Sequence, residues 1–176
     1  MGSTGVDRHV CEQCGDASHL ALRRGRIDLM IVLCEPCWNR YANEIAEAEG
    51  ATAPPLEEPD QDDTRWIQPP TCRACGLQVR RTRTNYDRWV DLGTVDIRAK
   101  DVPRRYRWRL QSIHPGSSTV ITGVIAVKVG AIEPTPDEVI TPAHRALCPS
   151  PDAMREVERE LAIDQLPRQR EPGEDD

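Results

Sequence analysis

The sequence predicts an α+β protein built from small zinc-stapled domains: an N-terminal finger (β-hairpin plus helix) and a mainly β second domain with a C-terminal helix. Three observations predict it. C-x2-C pairs recur at Cys11/Cys14, Cys34/Cys37 and Cys72/Cys75. Apolar residues repeat every second position before Cys34 and at helical spacing after Cys37. Core-forming material is thin, with no Phe, 4% aromatic residues, fifteen Pro and 30% charged residues. Chains this poor in apolar area need a metal or disulfides to hold a fold.

Residues 1–9 are polar and expected to be loose. Cys11-Glu-Gln-Cys14-Gly15 has the form of a zinc knuckle, with Gly15 where the turn requires a positive φ. Leu20 and Leu22 alternate up to the turn signal Arg24-Gly25, and Ile27, Leu29, Ile31 and Leu33 alternate again, predicting a β-hairpin. Beyond Cys37, the residues Trp38, Tyr41, Ala42, Ile45 and Ala46 keep helical spacing up to Gly50. Residues 1–49 therefore form the finger. Residues 50–65 are acidic and Pro-rich and read as a spacer that keeps the finger apart from the second domain.

The second domain spans 66–149. It opens with the knuckle Cys72-Arg-Ala-Cys75-Gly76, followed by a short strand at Leu77 and Val79. Tyr106, Trp108 and Leu110 alternate with Arg105, Arg107 and Arg109, which predicts a half-exposed strand with arginines on its outer face. The β-branched run 119–129 predicts one bulged strand or two strands meeting at Gly123. Residues 131–142 are Pro-rich and read as irregular. Ser150-Pro151 starts a helix over 150–166, with Met154, Val157 and Leu161 as its apolar stripe. The charged tail 167–176 is expected to be disordered.

Cys11, Cys14, Cys34 and Cys37 can converge as four thiolates on one tetrahedral Zn²⁺, and two disulfides are the competing arrangement. Cys72, Cys75 and Cys148 remain, so a second site needs another ligand. His144, four residues before Cys148, supplies an H-x3-C pair, and His114 in its Pro-Gly loop is the competitor. Two Zn²⁺ are thus expected. A further feature is the charge pattern. Residues 71–115 carry eleven Arg/Lys against four Asp, a net of +7, whereas 51–70 and 151–176 are acidic.

The finger resembles treble-clef zinc fingers through its cysteine spacing. The second domain, over 71–149, resembles an actinobacterial cysteine-rich domain-of-unknown-function family. The resemblance rests on C-R-A-C-G, T-N-Y-D-R-W-V-D-L, V-P-R-R-Y-R-W-R-L and A-H-R-A-L-C-P. It supports His144 and Cys148 as one unit and implies no activity.

Sites filled by four protein ligands leave no position for a reacting water. The chain has no H-E-x-x-H, no H-x-E deaminase signature, no Walker loop and no G-x-S-x-G. The expectation is a non-catalytic zinc protein that acts as an adaptor between proteins, with no small-molecule substrate. The alternative is nucleic-acid binding through Arg80, Arg81, Arg83, Arg88, Arg105, Arg107 and Arg109. A third reading is redox sensing by release of zinc from its thiolates. No run reaches the roughly twenty apolar residues of a membrane span. The N-terminus lacks the apolar centre of a secretory signal, so a cytoplasmic setting with reduced thiols is expected.

Overall fold

The computed structural model describes residues 10–16, 20–52, 69–114, 120–130, 134–135 and 137–165. The expected loose N-terminus, most of the spacer and the tail lie outside these residues. Strands β1 (Ala21–Arg24) and β2 (Ile31–Cys34) pair antiparallel, from Ala21 opposite Cys34 to Arg24 opposite Ile31. Gly25 makes their turn possible. It sits at φ +84°, and a Cβ there would lie 1.9 Å from the Leu29 carbonyl oxygen. The second arm of the hairpin buries Leu33 and packs Leu29 and Ile31 on the core as expected, but the first arm does not follow the expected alternation. Ala21 and Leu33 are buried, while Leu20 and Leu22 are exposed. Register pairs Ala21 with Cys34, so the small residue lies on the side that carries a candidate ligand.

Helix α1 (Glu35–Glu49) starts directly after β2 and has a Pro in its first turn, where a missing N–H costs nothing. Cys37, Trp38, Ala42 and Ala46 are its buried face. It ends at Gly50 in the left-handed region, and the Ala51 amide donates back to the Ala46 carbonyl at 2.8 Å.

The second domain contributes six strands: β3 (Arg80–Thr84), β4 (Trp89–Leu92), β5 (Ile97–Arg98), β6 (Arg107–Ile113), β7 (Gly123–Lys128) and β8 (Val139–Pro142). Their order is β4-β3-β7-β6-β8-β5, with β3 and β7 parallel and every other pair antiparallel. The sheet curls back on itself into a barrel-like form. Leu92 at the end of β4 bridges to Ala143 just beyond β8, and the Gly93 amide donates to the Pro142 carbonyl at 2.8 Å. Register places Thr82, Thr84, Val90, Ala126 and Trp108 on one face, all buried. Tyr86, Tyr106 and Trp108 supply the bulk that Phe would otherwise give.

Several expectations for this domain do not hold: the strand expected at Leu77 and Val79 starts at Arg80, and the β-branched run becomes a strand only from Gly123. The Pro-rich stretch contains β8, because Val139, Ile140 and Thr141 are good strand formers and Pro142 stands at the strand's end, where its missing N–H is tolerated. The regular Arg/aromatic alternation breaks at its start. Arg104–Tyr106 is a 3₁₀ turn, and Arg107 is buried with its Nε donating to the Val102 carbonyl at 2.7 Å.

Helix α2 (Pro151–Gln165) keeps part of its expected stripe, with Val157 packed against the core and Leu161 half-buried. Met154 is exposed, and Ala153 is the buried position. Carboxylates at every fourth residue make the contact. Glu156 accepts from the Tyr106 hydroxyl at 2.7 Å and pairs with Arg145, Glu160 pairs with Arg105 at 2.9 Å, and Asp164 accepts from the Arg104 amide at 2.8 Å. The Tyr106 hydroxyl and the Arg145 guanidinium hold Glu156 below the ordinary carboxylate range. The stability it contributes is therefore fully present above its unfolded value of 4.5 and is lost as pH falls through the lower folded value. Glu156→Gln should cost about 2 kcal/mol at neutral pH. In urea unfolding, the gap to wild type should narrow as the solution is acidified.

The finger is not an independent unit on a spacer. The Arg88 guanidinium, buried in the β3–β4 turn, donates to Asn43 Oδ1 at 2.8 Å and to the Asn39 carbonyl at 3.2 Å. The Tyr86 hydroxyl donates to Glu49 at 2.8 Å, and Thr52 and Trp89 exchange two backbone hydrogen bonds at 2.7 and 2.8 Å. One apolar cluster runs from Trp38 and Ala46 of α1 into Tyr86, Val90 and Trp108. Arg88→Ala should weaken this docking by about 1.5–3 kcal/mol, since a charged donor is lost from buried acceptors. The expected readout is faster amide exchange at Thr52 and Trp89 with bound metal unchanged. Among the described residues no helix is long and apolar enough to cross a membrane.

Candidate metal centres

Both clusters begin with the same turn. In each C-x-x-C-G knuckle the glycine stands at positive φ, +67° at Gly15 and +73° at Gly76. Its amide donates to the carbonyl of the first cysteine, Gly15 to Cys11 at 2.9 Å and Gly76 to Cys72 at 2.8 Å. This folds the two cysteine side chains of each knuckle toward one point.

In the first cluster the other pair comes from the β2–α1 junction. Cys34 is the residue before the helix and Cys37 lies in its first turn, so both sulfurs sit at the positive end of the helix dipole. Cys14 Sγ lies 3.9 Å from Cys34 Sγ, and all four ligand atoms lie within 4.8 Å of one another. Zn–S bonds of roughly 2.3 Å imply tetrahedral S···S edges of about 3.8 Å, which fits; a disulfide would bring the sulfurs to about 2.05 Å. Cys11, Cys34 and Cys37 are buried, whereas Cys14 is exposed. Arg40 donates to Cys37 Sγ at 3.7 Å, a partner with no motif in the sequence to single it out.

The second cluster is assembled across the β-domain. Thr71 bridges to Gln78, and the Cys72 amide donates to Leu77, so the knuckle closes on itself. A 3₁₀ turn, His144–Ala146, brings in His144, and the chain then places Cys148 against Cys72 at 4.0 Å between sulfurs. His144 Nε2 stands 3.3 Å from Cys75 Sγ. Cys72, Cys75, His144 and Cys148 form one group within 4.8 Å, and His114 is exposed at the end of β6, outside it. Ser150 Oγ lies 3.2 Å from Cys148 Sγ; its sequence context suggested only a helix cap.

The electrostatics suit a cation. Burial and the neighbouring sulfurs push Cys37 up to about 12, while the Cys34 amide pulls Cys11 down to about 6. Four thiolates cannot all ionise side by side unless a positive charge sits among them. In the second cluster, burial lowers His144, which favours the neutral imidazole that ligates metal. Burial pushes Cys148 up, but the Ser150 hydroxyl and amide outweigh it, and the thiol lies below its ordinary value. Each cluster can therefore hold a metal ion.

The arginines singled out in the sequence are largely engaged within the molecule. Arg81 makes a bidentate pair with Asp91 at 2.8 and 3.1 Å, and Arg83 pairs with Asp87 at 3.4 Å. Arg105 pairs with Glu160, and Arg109 pairs with Glu138 at 2.7 Å. Arg88 and Arg107 are buried, and Arg80 is exposed.

A family model described as a family of unknown function, DUF6083, matches residues 56–171. The match contains all four ligands of the second cluster and helix α2, and none of the first cluster's ligands. No curated protein and no solved structure gave a match.

Proposed function

The chain belongs to the DUF6083 family, a family of unknown function, and we propose that it is a non-catalytic protein with two structural zinc sites, acting as an adaptor between proteins. One observation carries this reading: each cluster offers four ligand atoms drawn together within 4.8 Å, enough to close a tetrahedron without water. Thiolate-rich donor sets favour zinc over harder cations. The first site, with its knuckle, hairpin and helix, is a treble-clef-like finger.

The adaptor role is supported by what the surface offers. Val10, Leu20, Leu22 and Met30 of the finger are all more than two-fifths exposed, and apolar side chains gathered on one small module suit a protein partner. The engagement of most barrel arginines with carboxylates or backbone favours this reading over a phosphate-binding face.

Cobalt substitution tests the closed coordination. Two tetrahedral Co²⁺ spectra, one of four thiolates and one of three thiolates and an imidazole, should remain unchanged when azide is added. A spectral shift with azide would mean an open position and would overturn the structural reading. For the adaptor role, cross-linking of the full chain in cells should trap a protein partner that Leu22→Glu/Met30→Glu loses. Partner capture that nuclease abolishes would count against it.

A further inference from the structure

A cleft of about 480 Å³ opens beside the second cluster, lined by Thr52, Thr71, Arg73, Arg81, Trp89 and Asp91. A smaller cavity of about 180 Å³ continues past Trp89 and Asp91 to His144 and Arg145. Three parts of the fold meet here: the chain leaving α1 at Thr52, the second knuckle, and the outer edge of β4. The Thr52–Trp89 hydrogen bonds fix the first against the third. The volume falls within the range of roughly 300–1,000 Å³ typical of small-molecule sites.

The lining is specific in its chemistry. Trp89 is half-buried, so its indole forms a wall and does not swing freely in solvent. Arg81 is held flat against β4 by its bidentate pair with Asp91, which orients a planar cation along the cleft. Arg73 is exposed and has no carboxylate partner among the described residues. An aromatic wall beside guanidinium groups suits a ligand with both a planar ring and an anionic group. A bare phosphate would leave the indole and most of the volume unused, and an apolar ligand would leave Arg73 uncompensated. Asp91 keeps lone pairs for an exocyclic amine or a ribose hydroxyl.

We propose that this cleft binds a nucleoside phosphate, with the ring against Trp89 and the phosphate on Arg73. The assignment stands on the cleft and does not depend on the adaptor role. Cys72 lines the cleft and His144 its smaller continuation, so loss of the second cluster's metal should also abolish binding.

The test titrates the full zinc-loaded chain with AMP and GMP, followed by tryptophan fluorescence and calorimetry, with inorganic phosphate and adenosine as controls. Saturable binding of one nucleotide per chain is expected, tighter than either control. Arg73→Ala should weaken it about tenfold, and Trp89→Leu by at least as much, with Trp89→Phe restoring most of it. Zinc content reports whether each variant is folded. If Trp89→Leu loses its metal, Arg73→Ala and the two controls decide the matter. No saturable binding at millimolar nucleotide, phosphate binding as tightly as AMP, or an unaltered affinity in Arg73→Ala would overturn the proposal. A single-stranded hexanucleotide separates the two sources of the ligand. Tighter, steeply salt-dependent binding assigns the cleft to one nucleotide of a strand, and binding no tighter than AMP assigns it to free nucleotide.

Discussion

A strong chelator should unfold both halves of the chain, with loss of the far-ultraviolet signal and of the near-ultraviolet tryptophan signal together. Zinc binding at structural sites is worth about 10–16 kcal/mol in zinc-finger peptides, more than the whole stability of an ordinary small domain. In the second cluster the metal would join residues far apart in the chain. His144 and Cys75 are 69 positions apart in sequence, and the ligand set closes the barrel next to the Leu92–Ala143 bridge. His144→Ala should therefore lower bound zinc from two per chain to one and expose the barrel core to amide exchange. An unchanged zinc count in this variant would remove the imidazole from the ligand set.

Cys37→Ser should have the second large effect, and it should reach beyond the finger. Losing one thiolate opens the first cluster, which anchors both β2 and the first turn of α1. The same helix carries Asn39, Asn43 and Glu49, the residues that meet Arg88 and Tyr86. Zinc should again fall from two to one, but the barrel should keep its own metal and its core protection. The distinguishing measurement is exchange at Thr52 and Trp89, which should accelerate here as it does in Arg88→Ala, although only Cys37→Ser loses metal. Retained protection at Thr52 and Trp89 after loss of the first zinc would show that docking needs no assembled finger.

Much of the local architecture was legible because its signals are short-range. Cys-x-x-Cys-Gly encodes a knuckle through a glycine that reaches positive φ. The change of period across Cys34–Cys37 marks the passage from strand to helix. His144 was legible as a candidate ligand because it lies four residues before Cys148. Strand β8 was hidden by the prolines around and within it, although Val139, Ile140 and Thr141 are β-formers. The amphipathic pattern of α2 held at Val157, which packs against the core, and failed at Met154. Its docking partner is the arginine-bearing turn at 104–106, so its inward side is set by Glu156, Glu160 and Asp164 and not by Met154.

By itself the sequence determined two thiolate-rich ligand sets, a hairpin followed by a helix, and a β-rich second half whose aromatics form the core. Tertiary structure alone decided three things. It closed the curled sheet through Leu92 and Ala143, it docked the finger through Arg88 and Tyr86, and it engaged most of the arginines between 81 and 109 with internal partners. The reason is common to all three. Each depends on pairs separated by tens of residues, such as Arg88 with Asn43 or Arg105 with Glu160, and neither member bears a local pattern that announces the other. Composition read the arginines as a basic face, but their geometry makes most of them part of the frame.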